Sequence, residues 1–437
     1  MNGNKLKILF LSTYDKEGGA TAWFMNLAQT LYDAGFEVEV VVKYKYTALP
    51  YVRCIPLPKR EGRIKRTLNE LLKKNVPQDI LYDSYPEYAF FAGESELSQV
   101  CETEKIVRAC KFVPDLIISG LVFELANTQT LKELHELWHV PVYMTAFDAN
   151  VYTGGCHVLN RCEGYKSDCA QCPGIRKQER CGEVEASYAQ KVRNIQEANI
   201  GIMYASPWSL QNALMSACFK YAPKFDIGMC IDTELFTNKN RNIAKQVFDI
   251  PSDAKVLFTG SADVRDKRKG VKYFFDSLSV LWETLDTKMR DKVYVLIAGR
   301  NVEALQKQVS QLPPFHYTCI SFISDTRLLS LAYQAADIFV CPSTEDAGPM
   351  MAAEALSCGT PVVGFPMGLM WDQSYVQNGK TGYVVEMENV QQMGDAIKNI
   401  LVLNEKGYTQ MSHNCRSVTQ EKLSREAYIK NFENLKI

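Results

Sequence analysis

The chain has 437 residues, of which 46% are hydrophobic and 23% are charged, and this length exceeds what one hydrophobic core can organise. Its formal net charge of −1 provides no overall positive field that would attract nucleic acid. The chain contains no uninterrupted apolar run of about 18 residues, the minimum for a membrane-spanning helix, and its first apolar segment is too short for a signal peptide. We therefore expect a cytoplasmic protein of two or three domains, in which most of the 14 cysteines are free thiols or metal ligands.

Short apolar runs and helical patterns alternate along the first half of the chain. Residues 6–13 form an apolar run that predicts a strand, and residues 21–34 carry apolar side chains at helical spacing up to Gly35. The alternation continues, with strands predicted at 37–44, 114–120, 140–147 and 200–206, and helices predicted at 124–138 and 183–199. Such a succession is typical of a parallel sheet covered by helices.

A second cycle of the same pattern begins after residue 230, with strands predicted at 255–262 and 292–299. We therefore predict an α/β protein of two doubly wound, Rossmann-like domains that face a central cleft at the carboxyl ends of their strands. The predicted domains are residues 1–230, with a cysteine-rich insertion at about 150–182, and residues 231–412. A helical segment over 413–437 is expected to pack back on the amino-terminal domain.

Two acidic residues, Asp346 and Glu354, flank the start of a helix that is predicted to follow a buried strand at 338–343. A helix start offers unpaired N–H groups and a partial positive charge, which suit sugar hydroxyls and phosphates. The two carboxylates are spaced to bind different hydroxyl-bearing parts of one ligand. The alternative is that both acids only cap the helix and favour its dipole.

This segment resembles the donor-binding signature of retaining glycosyltransferases with the GT-B fold, in glycosyltransferase family 4. The matching positions are Pro342, Ser343, Asp346, Glu354, Ala355, Gly359, Pro361, Val362 and Val363. The resemblance implies that Asp346, next to Glu345, contacts the donor hexose and that Glu354 contacts the nucleotide ribose. The amides of Gly348, Met350 and Met351 would face the sugar, whereas Pro349 has no N–H to offer.

A basic loop over 258–278 resembles the diphosphate-binding segment of the same family, in which a lysine and a glycine open a helix. Lys269 stands at the lysine position, and Ser261 replaces the expected arginine, so Arg265 or Arg268 would take that role. Fixed cations there would stabilise the charge that develops on the leaving diphosphate. The alternative is an ordinary solvated basic loop.

Two further segments of the first domain fit the resemblance. Gly18 and Gly19 occupy the first strand-to-helix turn, where backbone can approach a phosphate or an acceptor. At Phe147 and Asp148 the relatives with the same cysteine insertion carry His-Asp, so the contact of that histidine with the sugar is missing. Asp148 remains a candidate for positioning the acceptor, with loop capping as the alternative.

The cysteine-rich insertion contains Cys156, Cys162, Cys169 and Cys172, at the spacing C-x5-C-x6-C-x2-C. Four thiolates satisfy tetrahedral zinc, and a closed site of this kind has no open coordination position for catalysis. The residues leave three readings open: a structural zinc ion, no bound metal, or an iron–sulfur cluster. His157 and Cys181 are spare ligands.

The function that we expect is retaining transfer of a hexose from a nucleotide-diphosphate sugar to a glycan or lipid-linked acceptor, in the synthesis of a surface polysaccharide. Asp148, Lys269 and Asp346 are the predicted catalytic residues, and no Asp-x-Asp motif indicates a catalytic metal ion. A basic amphipathic stretch at 58–74 predicts either peripheral contact with the inner membrane face or a solvated helix face. The alternatives are an epimerase or phosphorylase of the same fold and an inactive nucleotide-sugar-binding protein; a dehydrogenase would need a G-x-G-x-x-G turn that is missing here.

Overall fold

A computed structural model describes residues 5–16, 18–56, 83–91, 95–98 and 100–435. The chain divides into two compact units: the first contains Met1–Tyr204, Ser209–Asp226 and Glu433–Ile437, and the second contains Ala205–Trp208 and Ile227–Phe432. The basic stretch at 58–74 lies outside the described residues. Within the described ranges, we find no helix with the length and apolar character needed to cross a bilayer.

The first unit is built on a seven-stranded parallel sheet with the strand order β3-β2-β1-β4-β5-β6-β7. Its strands are β1 (Lys7–Tyr14), β2 (Glu37–Tyr44), β3 (Val52–Cys54), β4 (Leu116–Ser119), β5 (Val142–Thr145), β6 (Gly201–Tyr204) and β7 (Lys224–Asp226). Its helices are α1 (Gly19–Asp33), α2 (Thr103–Ala109), α3 (Thr128–Trp138), α4 (Cys181–Glu197) and α5 (Pro207–Met215), the last of which begins in residues assigned to the second unit.

Burial explains why these apolar runs become central strands. Ile8, Leu9, Phe10 and Leu11 of β1 are all fully buried, as expected for a parallel strand that is covered on both faces. The predicted helix at 124–138 begins later, at Thr128. Its start is set by Asn127, whose side chain accepts a hydrogen bond from the backbone N–H of Thr130 at 3.1 Å.

The second unit has a six-stranded parallel sheet with the order β10-β9-β8-β11-β12-β13. The strands are β8 (Lys255–Asp263), β9 (Val293–Arg300), β10 (His316–Ile320), β11 (Ile338–Cys341), β12 (Val362–Gly364) and β13 (Gly382–Val384). The helices are α6 (Arg241–Val247), α7 (Val271–Thr284), α8 (Thr287–Arg290), α9 (Gln306–Val309), α10 (Thr326–Ala335), α11 (Met350–Ser357), α12 (Val390–Leu401), α13 (Glu405–Lys422) and α14 (Arg425–Glu433).

The core of the second unit joins its sheet to α7 and α12 through a cluster of buried residues that includes Leu257, Phe274, Leu278, Val295 and Ile397. Helices α13 and α14 cover most of the segment predicted as helical at 413–437, and up to Phe432 they belong to this unit, whereas Glu433–Ile437 group with the first. The predicted fold class is confirmed, since each unit is a parallel α/β sheet of the Rossmann-like type.

Candidate functional site

The predicted donor-binding residues of the second unit meet beside two neighbouring strands, β8 and β11. In this sheet the chain order reverses between these two strands, and such a reversal opens a crevice at their carboxyl ends. Lys269 follows β8 and Asp346 follows β11, and the Lys269 Nζ donates a hydrogen bond to Asp346 Oδ2 at 2.5 Å. The structure therefore brings together two predicted site residues that are 77 positions apart in the chain.

A short 3₁₀ turn at Lys267–Lys269 sets the position of Lys269. Gly270 follows with a φ of 67°, and a Cβ at this position would lie 1.8 Å from the carbonyl oxygen of Pro342, at the end of β11. Burial disfavours the ammonium of Lys269, but the neighbouring Asp346 carboxylate prevails and raises the lysine pKa above its ordinary value. The lysine is thus held as a cation at the strand ends.

The two arginines of the predicted basic loop are paired inside that loop. Arg265 Nη2 lies 2.9 Å from Asp263 Oδ2, and Arg268 Nη2 lies 2.7 Å from Asp266 Oδ2. The guanidinium of Arg265 holds the pKa of Asp263 well below its usual range. The structure therefore pairs the Lys269 ammonium with the acidic segment, and a diphosphate would have to compete with Asp263 for Arg265 and with Asp266 for Arg268.

The acidic segment turns into α11 through Gly348 and Pro349. Asp346 Oδ1 accepts a hydrogen bond from the Gly348 N–H at 3.3 Å, and Pro349 is the last residue before the helix. Met350 and Met351 form the first turn of α11, where backbone N–H groups have no partner within the helix. Glu345 lies in the same loop, one residue before Asp346. The predicted amide donors thus lie at a helix start, beside the Lys269–Asp346 pair.

The second acid, Glu354, lies on α11 in an environment unlike that of Asp346. Its Oε2 accepts a hydrogen bond at 2.7 Å from the hydroxyl of Tyr333, which is fully buried on α10. Burial raises the pKa of Glu354 to about 7, although the hydrogen bond from Tyr333 acts in the opposite direction.

In the first unit, Gly18 and Gly19 begin α1, and Gly18 has a φ of 73°. Among the described residues, no heavy atom apart from those of the adjacent chain lies within 4 Å of the position that a Cβ would take at either glycine. Phe147 packs against α1 instead, with ring centroids 4.6 Å from Trp23 and 5.6 Å from Phe24. Phe147 thus belongs to an aromatic cluster with Trp23 and Phe24.

Asp148, directly after Phe147, has two partners that come from the cysteine-rich insertion. Its Oδ2 lies 2.7 Å from Nδ1 of His157, and its Oδ1 accepts a hydrogen bond from the Asn150 N–H at 2.9 Å. His157 is 7% exposed, and both residues line a cavity of about 30 Å³. The carboxylate thus caps its own loop, as the alternative reading expected, and also orients an imidazole.

The four cysteines Cys156, Cys162, Cys169 and Cys172 line one cavity of about 20 Å³. All four are free thiols, and the Gly164 N–H donates a hydrogen bond to Cys162 Sγ at 3.4 Å. Burial raises the pKa of Cys169 to about 12 and that of Cys172 to about 11. In the part of the chain that the structure describes, no group of three or more His, Cys, Asp or Glu side chains is placed so that it could hold a metal ion.

Two residues of these sites were not assigned to them from the sequence. Tyr333 lies in a predicted helix among other apolar residues, where an aromatic side chain normally indicates core packing. The sequence indicates His157 only as a spare metal ligand, and its partner Asp148 lies nine residues earlier in the chain. No local pattern could have revealed either contact, because both depend on how separate segments pack.

Comparison with known proteins places part of the chain beside a known family. Residues 240–418 match the family described as Glycosyl transferases group 1. An uncharacterized glycosyltransferase of Haemophilus influenzae is 25% identical over 147 residues, which cover 34% of this chain and 41% of the relative. A D-inositol 3-phosphate glycosyltransferase of Geodermatophilus obscurus is 28% identical over 193 residues, or 40% of this chain and 39% of the relative. The chain thus spans about two fifths of the length of these curated relatives.

Solved structures resemble the chain over nearly its whole length. Anabaena Alr3699/HepE in complex with UDP has a TM-score of 0.65 at 14% identity and covers 98% of both chains. Sucrose-phosphate synthase from Thermosynechococcus elongatus has a TM-score of 0.62 at 16% identity, also with 98% of both chains covered. At such identities the likeness is one of fold. The chain therefore has the two Rossmann-like units of the GT-B fold, and residues 240–418 match the group 1 glycosyl transferases.

Proposed function

We propose that this protein is a retaining glycosyltransferase that transfers a hexose from a nucleotide-diphosphate sugar to a glycan or lipid-linked acceptor. The observation that carries the proposal is the pairing of Lys269 with Asp346 at the reversal between β8 and β11, with Glu354 on the helix that follows. A cation, two carboxylates in different environments and a helix start match the groups of a sugar nucleotide. The match of residues 240–418 to a glycosyltransferase family supports the same reading.

Each group has a role in the proposed reaction. Lys269 binds the diphosphate and stabilises the charge that it gains as the glycosidic bond breaks. Asp346 accepts hydrogen bonds from the hexose, while Glu354 accepts them from the ribose. In the free protein Lys269 is neutralised by Asp346, so binding of the diphosphate transfers the lysine from the carboxylate to the ligand. The Asp346 carboxylate then becomes available to the sugar.

The proposed chemistry requires no dedicated protein base. The sugar is transferred on the face of the donor that the diphosphate leaves, and the departing phosphate oxygen takes the proton of the acceptor hydroxyl. The contribution of the protein is positioning and electrostatic stabilisation. Asp148, oriented against His157 in the first unit, is the proposed group for holding the acceptor hydroxyl.

UDP-sugars are the first donors to test, because the Anabaena neighbour was solved with UDP and with UDP-glucose. Thermal shift with UDP-, GDP- and ADP-sugars identifies the donor, and mass spectrometry of a reaction with a membrane-lipid or oligosaccharide extract identifies a product that is one hexose heavier. A donor that binds and is epimerised or phosphorolysed without acceptor would favour the alternative enzymes. Binding without any turnover would favour an inactive binding protein, and no binding would refute the proposal.

We also propose that Cys156, Cys162, Cys169 and Cys172 hold a structural zinc ion. The four residues share one cavity within a segment that consists mainly of turns, where a metal would supply order that regular secondary structure does not. Because burial raises the thiol pKa values, zinc would have to displace the protons and draw the four sulfurs inward. This change distinguishes the proposed zinc form from the arrangement described above.

Metal analysis of the purified protein tests this proposal. About one equivalent of zinc is expected, with loss of the metal in Cys169→Ser and retention in Cys319→Ser, which alters an exposed cysteine of the second unit. Less than half an equivalent of zinc would contradict the proposal, and stoichiometric iron would favour the cluster.

A further inference from the structure

The carboxyl of Glu354 has one hydrogen-bond partner among the residues that the structure describes, the hydroxyl of Tyr333 at 2.7 Å. Among the described residues, the ion pairs at Asp346, Asp263 and Asp337 each supply a cation to an acid of this unit, and Glu354 takes part in none of the ion pairs found there. A partly buried carboxylate without a cation depends largely on hydrogen bonds to stabilise its charge. The hydroxyl of Tyr333 therefore sets the orientation of the Glu354 carboxyl.

Tyr333 has little freedom to move its hydroxyl. Its ring packs at centroid distances of 5.3 Å from Phe258 and 5.5 Å from Phe339, in edge-on arrangements. Its backbone carbonyl accepts a hydrogen bond from Thr360 Oγ1 at 2.7 Å, and the whole residue is fully buried. The aromatic contacts extend to β8 and β11, the same two strands that precede Lys269 and Asp346. The tyrosine hydroxyl is thus fixed by the core that shapes the site.

The direction of the hydrogen bond matters for chemistry. A tyrosine hydroxyl at neutral pH donates, so Oε2 of Glu354 is the acceptor, and this hydrogen bond favours the ionised carboxyl against the larger opposing effect of burial. With Oε2 anchored, the carboxylate has acceptor capacity left for ligand hydroxyls in one fixed orientation. The two hydroxyls of a ribose are donors that this carboxylate can accept.

We propose that Tyr333 is a positioning residue for nucleotide binding, which holds Glu354 so that its carboxylate accepts the hydroxyls of the ribose in a nucleoside diphosphate. This inference rests on the proposed function, because it assigns Glu354 to the ribose. Tyr333 itself does not contact the ligand; it acts through Glu354.

Calorimetric titration with UDP between about pH 5.5 and pH 9 tests the inference in the full chain. In the wild type, UDP affinity should rise as the pH increases through about 7, where Glu354 ionises. Tyr333→Phe removes the hydroxyl and keeps the ring, so the midpoint of this rise should move to higher pH and UDP should bind about tenfold more weakly near neutrality. Tyr317→Phe is the matched control, because it removes a hydroxyl that donates to the Pro313 carbonyl at 2.8 Å on the edge strand β10.

A double-mutant cycle separates positioning from general destabilisation. The terminal phosphate of UDP itself titrates near about pH 6, so Glu354→Gln should keep that contribution and lose the part of the pH dependence centred near pH 7. Adding Tyr333→Phe to that variant should change UDP affinity by less than about twofold. An unchanged midpoint in Tyr333→Phe would overturn the inference, as would an equal loss of affinity in the Glu354→Gln background. Should Tyr333→Phe fold poorly, a pH dependence in Glu354→Gln as large as that of the wild type would overturn it equally.

A failure of the proposed function gives a different result from a failure of this inference alone. GDP and ADP are titrated alongside UDP, and the diphosphate that binds is used for the variants. If none of the three binds the wild type, the proposed function is refuted and this inference falls with it. If one binds and Tyr333→Phe behaves as Tyr317→Phe does, the inference alone is wrong.

Discussion

Two carboxylates of one short segment, Asp346 and Glu354, have opposite surroundings. Asp346 lies against the ammonium of Lys269, whereas Glu354 lies against the neutral hydroxyl of Tyr333. Such a difference is a common way for one site to use two acids for two purposes. The sequence shows only two acids eight positions apart, because the partner of one lies in the turn after β8 and the partner of the other lies on α10.

The pKa of Glu354 gives a prediction for stability. Its value of about 7 lies above the ordinary value of 4.5, so the folded state favours the protonated form, and the free energy of unfolding falls as pH rises from 4.5 to 7. Glu354→Gln removes this titration. The variant should match the wild type at about pH 5 and be more stable by about 3 kcal/mol at about pH 8, as measured by urea denaturation. An equal difference at both pH values would contradict the prediction.

Lys269 supplies a second prediction at this scale, with Lys272 as its control. Lys269→Ala should reduce transfer activity by about 100-fold or more and weaken diphosphate binding, because it removes the cation that faces Asp346. Lys272 lies three residues further on, is 79% exposed and pairs with Asp276 on the surface of α7. Lys272→Ala should leave activity within about twofold of the wild type. Steady-state kinetics measure the transfer activity of both variants. Equal losses of activity in the two would exclude the diphosphate role of Lys269.

At the scale of elements, the site depends on a close approach between the start of α7 and the end of β11. The Thr344 N–H donates a hydrogen bond to the Arg268 carbonyl at 2.8 Å. Gly270 lies so close to the Pro342 carbonyl oxygen that a Cβ at this position would be 1.8 Å from it. This contact joins the loop that carries Lys269 to the loop that carries Asp346. The pattern of a lysine followed by a glycine therefore reflects packing as much as ligand binding.

Gly270→Ala should test this contact, with Gly379→Ala as a control of similar backbone conformation. The two glycines have φ angles of 67° and 74°, but a Cβ at 270 would lie 1.8 Å from a carbonyl oxygen, whereas the nearest atom at 379 is 3.9 Å away. Gly379→Ala should cost only about 1 kcal/mol of backbone strain. Gly270→Ala should cost about 3 kcal/mol or more and also weaken UDP binding, as judged by denaturation and calorimetry. If both variants lost similar amounts of stability and UDP affinity, backbone strain would account for the whole effect, and the contact with Pro342 would not.

At the scale of the whole molecule, local sequence patterns predicted the alternating strands and helices and the two parallel sheets. Apolar runs such as Ile8–Leu11 indicate a strand that is buried on both faces of a sheet. Residues such as Asn127 indicate where a helix begins. The pairings of Lys269 with Asp346, of His157 with Asp148 and of Tyr333 with Glu354 were not predictable from the residues. Each depends on strand order and side-chain packing, which a local pattern does not contain.

The two units should respond to different ligands, because the cysteine insertion belongs to the first unit and the Lys269–Asp346 pair belongs to the second. Hydrogen–deuterium exchange of the full chain measures this directly. A zinc chelator should speed exchange within residues 150–182 and at the start of α4, which follows the insertion, and leave β8 and β11 unchanged. UDP should slow exchange at residues 258–270 and 343–358 without altering the cysteine insertion. A chelator effect that reaches β8 and β11 would contradict this separation, because loss of the metal would then act on the donor-binding residues themselves.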